Sequence, residues 1–428
     1  MVVLCCISLI DCINATMLNP YVDEFVSHLL NRRRGDPGIS IWVSVMVGSY
    51  SLCEVLFSPM WGMLAERFGR RPILLLGLAG SAVAPVLFGL ADSYATALAA
   101  RLLDGFFCGN VCVARTYLGE LVDAENEAWA FGLLGIVFSL GLFVGPILGG
   151  TLAHPAAWAP GWFESTIFEG HPFFLSNLIF ACLVACVFLL GVVALKETRG
   201  PTEREESFLA APETSQARWE PNSVERRGLW RLLTVSSILY GYVAARLNSF
   251  VLVSSLPRSM HGLDVSPHQF AYIQTFAALM LALNQVTIYP FLVKRCGAHT
   301  SCAIGLLWTI VLTLPVPLLF MTADVEQASA WRLVPVAIWQ GLNQLGFGTA
   351  FPLLAVLLNK ECTRRNRAVV NGWSNSLGAL SRGLGPVLAG ALMHLGCSLE
   401  SGDLRLGRYL SFYVNLLPAS VSHLRCGL

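Results

Sequence analysis

The sequence predicts an all-α polytopic membrane protein with twelve transmembrane helices in two pseudo-symmetric six-helix bundles. Three observations lead to this fold class: the composition, the number of long apolar runs, and an internal repeat. Of the 428 residues, 55% are hydrophobic and only 13% are charged, and the mean hydropathy is +0.62. Because a soluble protein carries about a quarter charged residues, this composition indicates a chain that lies largely in lipid.

Each predicted helix is an apolar run long enough to cross a bilayer, which takes about 20 residues. The runs lie at 2–21, 40–62, 73–91, 94–116, 129–152, 173–195, 229–256, 268–293, 300–321, 332–357, 369–394 and 408–424. The first run follows no basic segment and is interrupted by Asp11 and Asn14, so we interpret it as a span and not as a signal peptide. The last run is the weakest, because it is short and contains Asn415, Pro418 and His423.

A long polar segment at 197–228 separates the two sets of runs. Its prolines and mixed charges are typical of a solvated, flexible connector. The predicted division is therefore an N-terminal six-helix bundle at 1–196, a cytoplasmic linker at 197–228 and a C-terminal six-helix bundle at 229–428.

The basic residues predict the orientation of the chain. They are concentrated in the connector and in the loops near 67–71 and 360–367, whereas fewer lie in the loops on the opposite side. Cytoplasmic loops carry an excess of Lys and Arg, so we expect the connector and both termini to face the cytoplasm. The arginine cluster at 32–34 runs against this rule.

An internal repeat relates the two halves. The run 145–150, Gly-Pro-Ile-Leu-Gly-Gly, recurs 240 residues later as 385–390, Gly-Pro-Val-Leu-Ala-Gly, and His394 matches His154 at the same offset. Repeated six-helix halves are typical of transporters in which the substrate site lies between two related bundles.

Composition and motifs also exclude several function classes. The formal charge of +1 does not suit a nucleic-acid binder, and no phosphate-binding loop of the G-x-x-x-x-G-K-[ST] type supports ATP-driven pumping. The thirteen cysteines are scattered through apolar runs without zinc-ligand spacing. We therefore expect no enzyme, no cofactor and no metal site.

Two glycine-containing segments stand out. The first is the loop 62–72, Gly-Met-Leu-Ala-Glu-Arg-Phe-Gly-Arg-Arg-Pro, with a decayed copy at 289–297. Glycines in it permit a tight turn and close helix approach, arginines anchor the turn in the cytoplasm, and the glutamate can meet a basic partner or a helix N-terminus. Its key residues are Gly62, Glu66, Arg67, Gly69 and Arg70.

The second segment lies in the fifth predicted helix. Gly141, Gly145 and Gly149 are four residues apart, so they share one helix face and allow close packing of a neighbouring backbone. Pro146 permits a kink, and Gly150 extends the small-residue stretch. Ordinary helix packing is the alternative to a role in conformational change.

The loop at 62–72 closely resembles the signature loop of the major facilitator superfamily, whose usual aspartate is here Glu66, and the glycine segment resembles the fifth-helix motif of its antiporter branches. Residues 8–11, Ser-Leu-Ile-Asp, with Pro20 beyond them, resemble the first helix of tetracycline-resistance-type drug:proton antiporters. Further stretches are similar to zinc-induced-facilitator-like proteins. These are 117–120, 152–156, 197–199, 289–290 and 371–372, with 385–386.

The resemblance implies a drug:proton antiporter of this superfamily. The sequence departs from the plant facilitator-like proteins in one respect: it contains neither their Cys-rich N-terminal segment nor their His-rich central loop. This difference argues against a metal-linked role. Since the chain begins almost at its first span, we expect an N-terminal segment to be missing.

Ionisable residues within spans are costly and are therefore candidate functional residues. For proton coupling they are Asp11, Glu54, Arg101 and Asp104. Asp11 has no basic residue in its own span, and burial can shift a carboxyl enough for proton exchange near neutral pH. Glu54 is the competing carboxyl. Arg101 resembles the fourth-helix arginine of antiporters, although Arg101 and Asp104, three residues apart, can also simply neutralise each other.

Polar residues in the spans of the second half predict a substrate cavity. They are Arg246, Asn248, Gln340, Asn343, Asn371, Asn375 and Arg382. The two amide pairs lie at i,i+3 and i,i+4, so each pair shares a helix face. Hydrogen bonding between helices is the alternative role for any one of them.

From these features we expect a monomeric, proton-coupled secondary transporter that moves a small organic solute, drug or metal chelate out across the bilayer by alternating access. A facilitator or symporter on the same fold, or a transport-inactive membrane receptor, is the alternative. Its partners are a small-molecule substrate, protons and lipid, without nucleic acid. The sequence does not distinguish the plasma membrane from the vacuolar membrane.

Overall fold

A computed structural model describes residues 2–109, 113–114, 117, 127–197, 223–257, 262–316, 333–360 and 367–399. Every regular element in these ranges is a helix, so the predicted all-α class is confirmed for the described residues. The connector residues 198–222 and the predicted twelfth span at 408–424 lie outside them.

In the first half of the sequence, every long helix overlaps a predicted apolar run, whereas the short helix Val22–Leu29 lies between two of them. The helices are α1 (Val2–Met17), α2 (Val22–Leu29), α3 (Ser40–Phe68), α4 (Arg70–Gly89), α5 (Tyr94–Phe107), α6 (Glu127–Thr151) and α7 (Phe174–Ala194). A 3₁₀ turn, Pro37–Ile39, precedes α3, and three one-turn helices lie between α6 and α7. The first predicted span, 2–21, contains α1, and the chain bends by 58° between α1 and α2, which lies beyond that span. Pro20 explains the break, since proline disfavours the helical conformation of the residue before it.

The second half has five described helices. They are α8 (Ser223–Ser255), α9 (Pro267–Val286), α10 (Ile288–Thr313), α11 (Val334–Lys360) and α12 (Arg367–Leu399). Helix α10 is interrupted at Gly297, whose backbone is not helical.

Several helices meet the length and hydropathy that a bilayer requires. Five described helices do so, and the bent pair α1–α2 adds a sixth if it forms one span. Large apolar side chains on these helices point away from the protein: Val193 on α7 is 86% exposed and Leu56 on α3 is 73% exposed. Such side chains need lipid and not water around them, which agrees with a membrane protein.

The first compact unit consists of Met1–Leu18 and Ser49–Glu220. In it α1 packs along α6, and α4 packs against α5 and α7. The α1–α6 contact depends on glycine: a Cβ atom at Gly149 would lie 1.9 Å from the carbonyl oxygen of Met17. The two backbones therefore approach more closely than any larger residue allows.

The second compact unit consists of Asn19–Gly48 and Pro221–Leu428. Here α8 packs along α12, and α11 packs against α9 and α10. A Cβ atom at Gly385 would lie 2.6 Å from the carbonyl oxygen of Gly241 on α8. The second copy of the repeat thus packs on α8 as the first copy packs on α1. Residues 19–48 group with this unit, whereas the bundle boundaries at 196 and 229 remain a prediction.

The two copies of the signature loop share a backbone feature. Gly69, before α4, has φ 101° and ψ 162°, and Gly297, inside α10, has φ 78° and ψ 169°. This region of backbone space is essentially restricted to glycine. The repeat is therefore preserved in conformation even where the surrounding sequence of the second copy has decayed.

Candidate functional site

A cluster of polar side chains lies among the apolar helices of the first unit. We call it the Asp11 cluster: Asp11 and Asn14 on α1, Tyr50 and Glu54 on α3, Arg101 and Asp104 on α5, and Cys108 at the end of α5. Each helix contributes residues three or four positions apart, so each pair shares one helix face. A close approach at Gly105, where a Cβ atom would lie 2.5 Å from the carbonyl oxygen of Tyr50, brings α5 onto α3.

One part of the cluster is a buried ion pair between Arg101 and Asp104. Arg101 Nη1 donates to Asp104 Oδ2 over 2.9 Å, and the side chain of Asn14 donates to both oxygens of Asp104 at 2.9 Å. Arg101 also donates to Asn14 Oδ1 over 3.3 Å. Arg101 and Asp104 are 7% and 4% exposed. Since a buried ion pair needs further hydrogen bonds to be tolerated, Asn14 serves this purpose on both partners.

The other part of the cluster is a triangle around Asp11. Tyr50 Oη lies 3.0 Å from Asp11 Oδ1 and 2.7 Å from Cys108 Sγ, and Cys108 Sγ lies 3.3 Å from the same Asp11 oxygen. The Arg101 guanidinium group stacks over the Tyr50 ring, 4.6 Å from its centroid. Tyr50 therefore touches both parts of the cluster, the ion pair through its ring and Asp11 through its hydroxyl group.

The three acidic residues of the cluster differ in burial. Asp104 is 4% exposed and Glu54 is 8% exposed, whereas Asp11 is only partly buried. Glu54 lies one helical turn after Tyr50 and interacts electrostatically with both Tyr50 and Cys108. Asp11 is thus the acidic side chain of the three with the most access to its surroundings.

In the second unit the structure joins two of the predicted cavity residues. Arg246 Nη1 on α8 donates to Gln340 Oε1 on α11 over 2.8 Å, and Gln340 donates to Gln274 on α9 over 2.8 Å. All three residues are at most 7% exposed. The resulting chain of hydrogen bonds links three helices of the unit, with the Gln340 side chain at its centre.

The other predicted cavity residues make different described contacts. Asn248 donates to Ser44 Oγ and to the Pro386 carbonyl, so it takes the alternative role of linking helices. Asn343 donates to the carbonyl of Trp339. On α12, Arg382 stacks over the Tyr240 ring at 5.0 Å and Asn375 is half-buried, while the side chain of Asn371 lies outside the described part.

The signature loop forms a carboxylate-capped helix start. Glu197 accepts hydrogen bonds from the backbone N–H groups of Arg70 (3.0 Å) and Arg71 (3.3 Å) at the first turn of α4. A carboxylate at a helix N-terminus satisfies unpaired donors and stabilises the helix dipole. Arg67 stacks on Phe68, whereas nothing lies within 4 Å of a Cβ atom at Gly62. The side chain of Glu66 is not among those described.

The glycine segment of α6 lies against α1 along its whole length. A Cβ atom at Gly141 would lie 2.5 Å from Cys12 Cβ, and one at Gly145 would lie 2.1 Å from Thr16 Oγ1. Gly149 meets Met17, as described above, and Gly150 and Pro146 are buried in the same helix. The spacing of four residues thus produces one continuous contact face.

A family model decides what kind of protein this is. The model described as the Major Facilitator Superfamily matches residues 4–386. The chain belongs to the major facilitator superfamily. It is accordingly a multi-pass integral membrane transporter of small molecules and not an enzyme, and the family predicted from the signature loop and the glycine segment is confirmed.

Individual known proteins are similar to this chain over different shares of its length. A multidrug transporter of Aspergillus fumigatus is 26% identical, with 86% of this chain and 73% of that protein covered. The ZINC INDUCED FACILITATOR-LIKE 1 protein of Arabidopsis thaliana is 26% identical, with 92% and 82% covered. A class H tetracycline resistance protein of Pasteurella multocida is 28% identical over 37% of this chain and 39% of its own length. The crystal structure of a D-xylose-proton symporter shares the fold, with a TM-score of 0.73, 12% identity and coverage of 99% and 95%.

Four polar residues of the Asp11 cluster and of the hydrogen-bond chain at Arg246 were not predicted from the sequence. None of them belongs to a superfamily motif. Tyr50, Cys108 and Gln274 are unremarkable residue types within apolar helices, and only packing shows what they contact. Asn14 was accessible from the sequence, since it lies three residues after Asp11 and therefore on the same face of α1. Within the described residues there is no group of three or more His, Cys, Asp or Glu side chains placed to hold a metal ion.

Proposed function

We propose that this transporter is a proton-coupled antiporter that exports a small organic solute, drug or metal chelate by alternating access. The proposal depends chiefly on one observation: Asp11, Tyr50 and Cys108 form a triangle of three mutual contacts at 2.7–3.3 Å. The arrangement supports a carboxyl group that alternates between protonated and ionised forms.

The number of hydrogens available for these three contacts depends on whether Asp11 is protonated. A hydroxyl group and a thiol group each supply one hydrogen, and a carboxylate supplies none. With Asp11 ionised, the triangle has two hydrogens for three contacts, so one pair of atoms must face each other with lone pairs only. With Asp11 protonated, the hydrogens suffice: Asp11 donates to Tyr50, Tyr50 donates to Cys108, and Cys108 donates to Asp11. The observed geometry therefore favours the protonated carboxyl.

Loss of that proton changes the contacts of Tyr50. The ionised carboxylate attracts the hydroxyl hydrogen, because hydrogen bonds to charged acceptors are about twice as strong as neutral ones. Tyr50 then gives up Cys108, and its ring carries the change to the stacked Arg101 guanidinium group. The ion pair of Arg101 with Asp104 is buried, and both partners are hydrogen-bonded to Asn14, so we assign it a fixed structural role beside the titrating Asp11.

The direction of transport rests on the relatives. The similar proteins include a multidrug transporter and a tetracycline resistance protein by name, and both names suit export against a gradient. A proton that moves inward through Asp11 supplies the free energy for such export. The buried amides and guanidinium group of the second unit provide the groups that bind the solute.

The test measures the flux of two dyes into proteoliposomes. The dyes share a xanthene ring system and differ in charge: carboxyfluorescein is an anion and tetramethylrhodamine methyl ester is a cation. Vesicles are collected and lysed into one buffer before the dye is read, and empty vesicles give the blank. We expect an imposed pH gradient to drive accumulation of at least one dye. In Asp11→Asn this accumulation disappears, whereas exchange of dye for dye without a gradient persists, since asparagine keeps the size of aspartate but has no carboxyl proton to release.

Glu54→Gln is the matched control, because it also removes one buried carboxyl of the same cluster. If Glu54→Gln loses pH-driven flux and Asp11→Asn keeps it, the proton carrier is Glu54. If both keep it, neither carboxyl group carries the proton. If the pH gradient drives no accumulation in the parent although dye still exchanges for dye, the protein is a facilitator. Flux of dye in the same direction as the protons identifies a symporter, and a parent protein that exchanges neither dye supports the receptor alternative.

A further inference from the structure

The most unusual charge in the second unit is that of Arg246. Its side chain is 2% exposed, and the group donates one described hydrogen bond, to Gln340. Within the described part of the chain it forms no ion pair, and its buried Nε atom has no hydrogen-bond partner. Arg101 in the first unit also has a buried Nε atom without a described hydrogen-bond partner, but its charge is neutralised by Asp104 at 2.9 Å.

An arginine in this position is costly. The guanidinium group does not lose its proton in proteins, so burial cannot be relieved by neutralisation. Buried charges are tolerated when a partner of opposite charge and further hydrogen bonds compensate the lost hydration. Here the amide oxygen of Gln340 supplies a partial charge only. A ligand that brings a negative charge to the guanidinium group would complete the compensation.

The surroundings of Arg246 indicate what else the ligand carries. Trp339, one residue before Gln340, lies 5.9 Å from the guanidinium carbon, and Phe250 lies 6.0 Å from the Trp339 ring. One turn after Gln340, the Asn343 side chain is fully buried and its Oδ1 atom accepts no hydrogen bond from any described residue. A flat apolar body suits the two rings, and a hydroxyl or amine group suits the orphaned oxygen.

We propose that Arg246 is the anion-binding group of the solute site, and that the transported solute is an aromatic organic anion that also carries a hydrogen-bond donor. This inference rests on the proposed transport function. Carboxylate, phosphate and sulfonate groups all match the fork of N–H donors on arginine. Gln340 holds the guanidinium group in place through its bond to Gln274, and Trp339 contacts the face of the solute.

The experiment compares carboxyfluorescein with tetramethylrhodamine methyl ester in counterflow, without a pH gradient or membrane potential. Vesicles of phosphatidylcholine alone keep anionic lipid headgroups from occupying the site. We expect carboxyfluorescein to exchange faster than the cation in the parent. Arg246→Gln lowers that exchange about ten- to hundredfold, because a hydrogen bond to a charged partner is lost, and Arg246→Lys, which keeps the charge but not the fork, lowers it less.

Arg295→Gln is the matched control, since Arg295 is an exposed arginine stacked on Phe291 of α10 and its removal should leave exchange unchanged. Thermal unfolding separates a binding role from a structural one. Without dye, Arg246→Gln should unfold at the same or a higher temperature than the parent, because an uncompensated buried charge is gone. Carboxyfluorescein should raise the unfolding temperature of the parent and of Arg295→Gln, and not that of Arg246→Gln.

Three results would overturn the inference. The first is a lower unfolding temperature of dye-free Arg246→Gln than of the parent, which would mean that the chain itself pairs the charge. The second is an equal decrease in the exchange of both dyes in that variant. The third is that the parent does not exchange carboxyfluorescein. None of these results contradicts proton coupling at Asp11. If the inference about Arg246 fails, pH-driven flux of the rhodamine cation in the parent would still support the antiporter proposal. Conversely, if the pH gradient drives no flux while carboxyfluorescein exchange still depends on Arg246, the antiporter proposal fails and the inference about Arg246 stands.

Discussion

Replacing Gly149 by alanine tests the close contact between α1 and α6. The added Cβ atom would lie 1.9 Å from the Met17 carbonyl oxygen and 2.9 Å from the carbonyl carbon. Both are backbone atoms, so no side-chain rotation relieves the overlap. The two helices must move apart by about 1 Å, and overpacking of this kind costs about 1–3 kcal/mol of unfolding free energy. Because α1 also carries Asp11, the displacement should lower pH-driven flux per folded molecule.

Gly62→Ala is the matched control for this change. Gly62 also lies inside a helix, α3, but nothing is within 4 Å of its added Cβ atom. Alanine should therefore be neutral or stabilise the protein by up to about 1 kcal/mol through its higher helix propensity. Unfolding free energies of both variants are measured by denaturant titration in mixed micelles. The reasoning is refuted if Gly149→Ala is as stable as Gly62→Ala and transports as well as the parent.

Three further expectations concern the loops. Gly69→Ala and Gly297→Ala should each cost about 1–3 kcal/mol, because both positions have glycine-only backbone angles; unchanged denaturant midpoints would contradict this. Glu197→Gln should cost about 0.3–1 kcal/mol at the start of α4, less in high salt, and a loss independent of salt would show that charge is not the cause. The connector 197–228 should be cleaved by protease in sealed right-side-out vesicles only after permeabilisation, and cleavage from outside would place it on the other face.

Much of the fold was predictable because lipid restricts the solutions. A chain that crosses a bilayer must form apolar helices of about 20 residues, and each predicted run up to residue 394 overlaps a described helix. The bend after Met17 was missed, although Pro20 signals it. Helix α2 was also missed, because it lies beyond the apolar run 2–21 and contains Asp23, Glu24 and His28, which lower its hydropathy.

The charged members of the site were predictable for the same reason. Asp11, Glu54, Arg101 and Arg246 stand out because charge within a span is costly. Neutral partners do not stand out: Tyr50 is one of 10 tyrosines and Cys108 one of 13 cysteines in the chain. Their importance arises from the contact of α3 and α5 with α1, and no pattern within a single helix contains that information. The sequence left open whether Arg101 and Asp104 pair, and the 2.9 Å contact shows that they do.

The central claim is that Asp11 holds the exchanged proton, and infrared spectroscopy of the purified transporter tests it most directly. A protonated carboxyl group has a carbonyl stretching band that disappears when the proton leaves. We predict that raising the pH removes such a band from the parent and from Glu54→Gln, and that the difference spectrum of Asp11→Asn lacks it. The same band in Asp11→Asn, lost over the same pH range, would contradict the account.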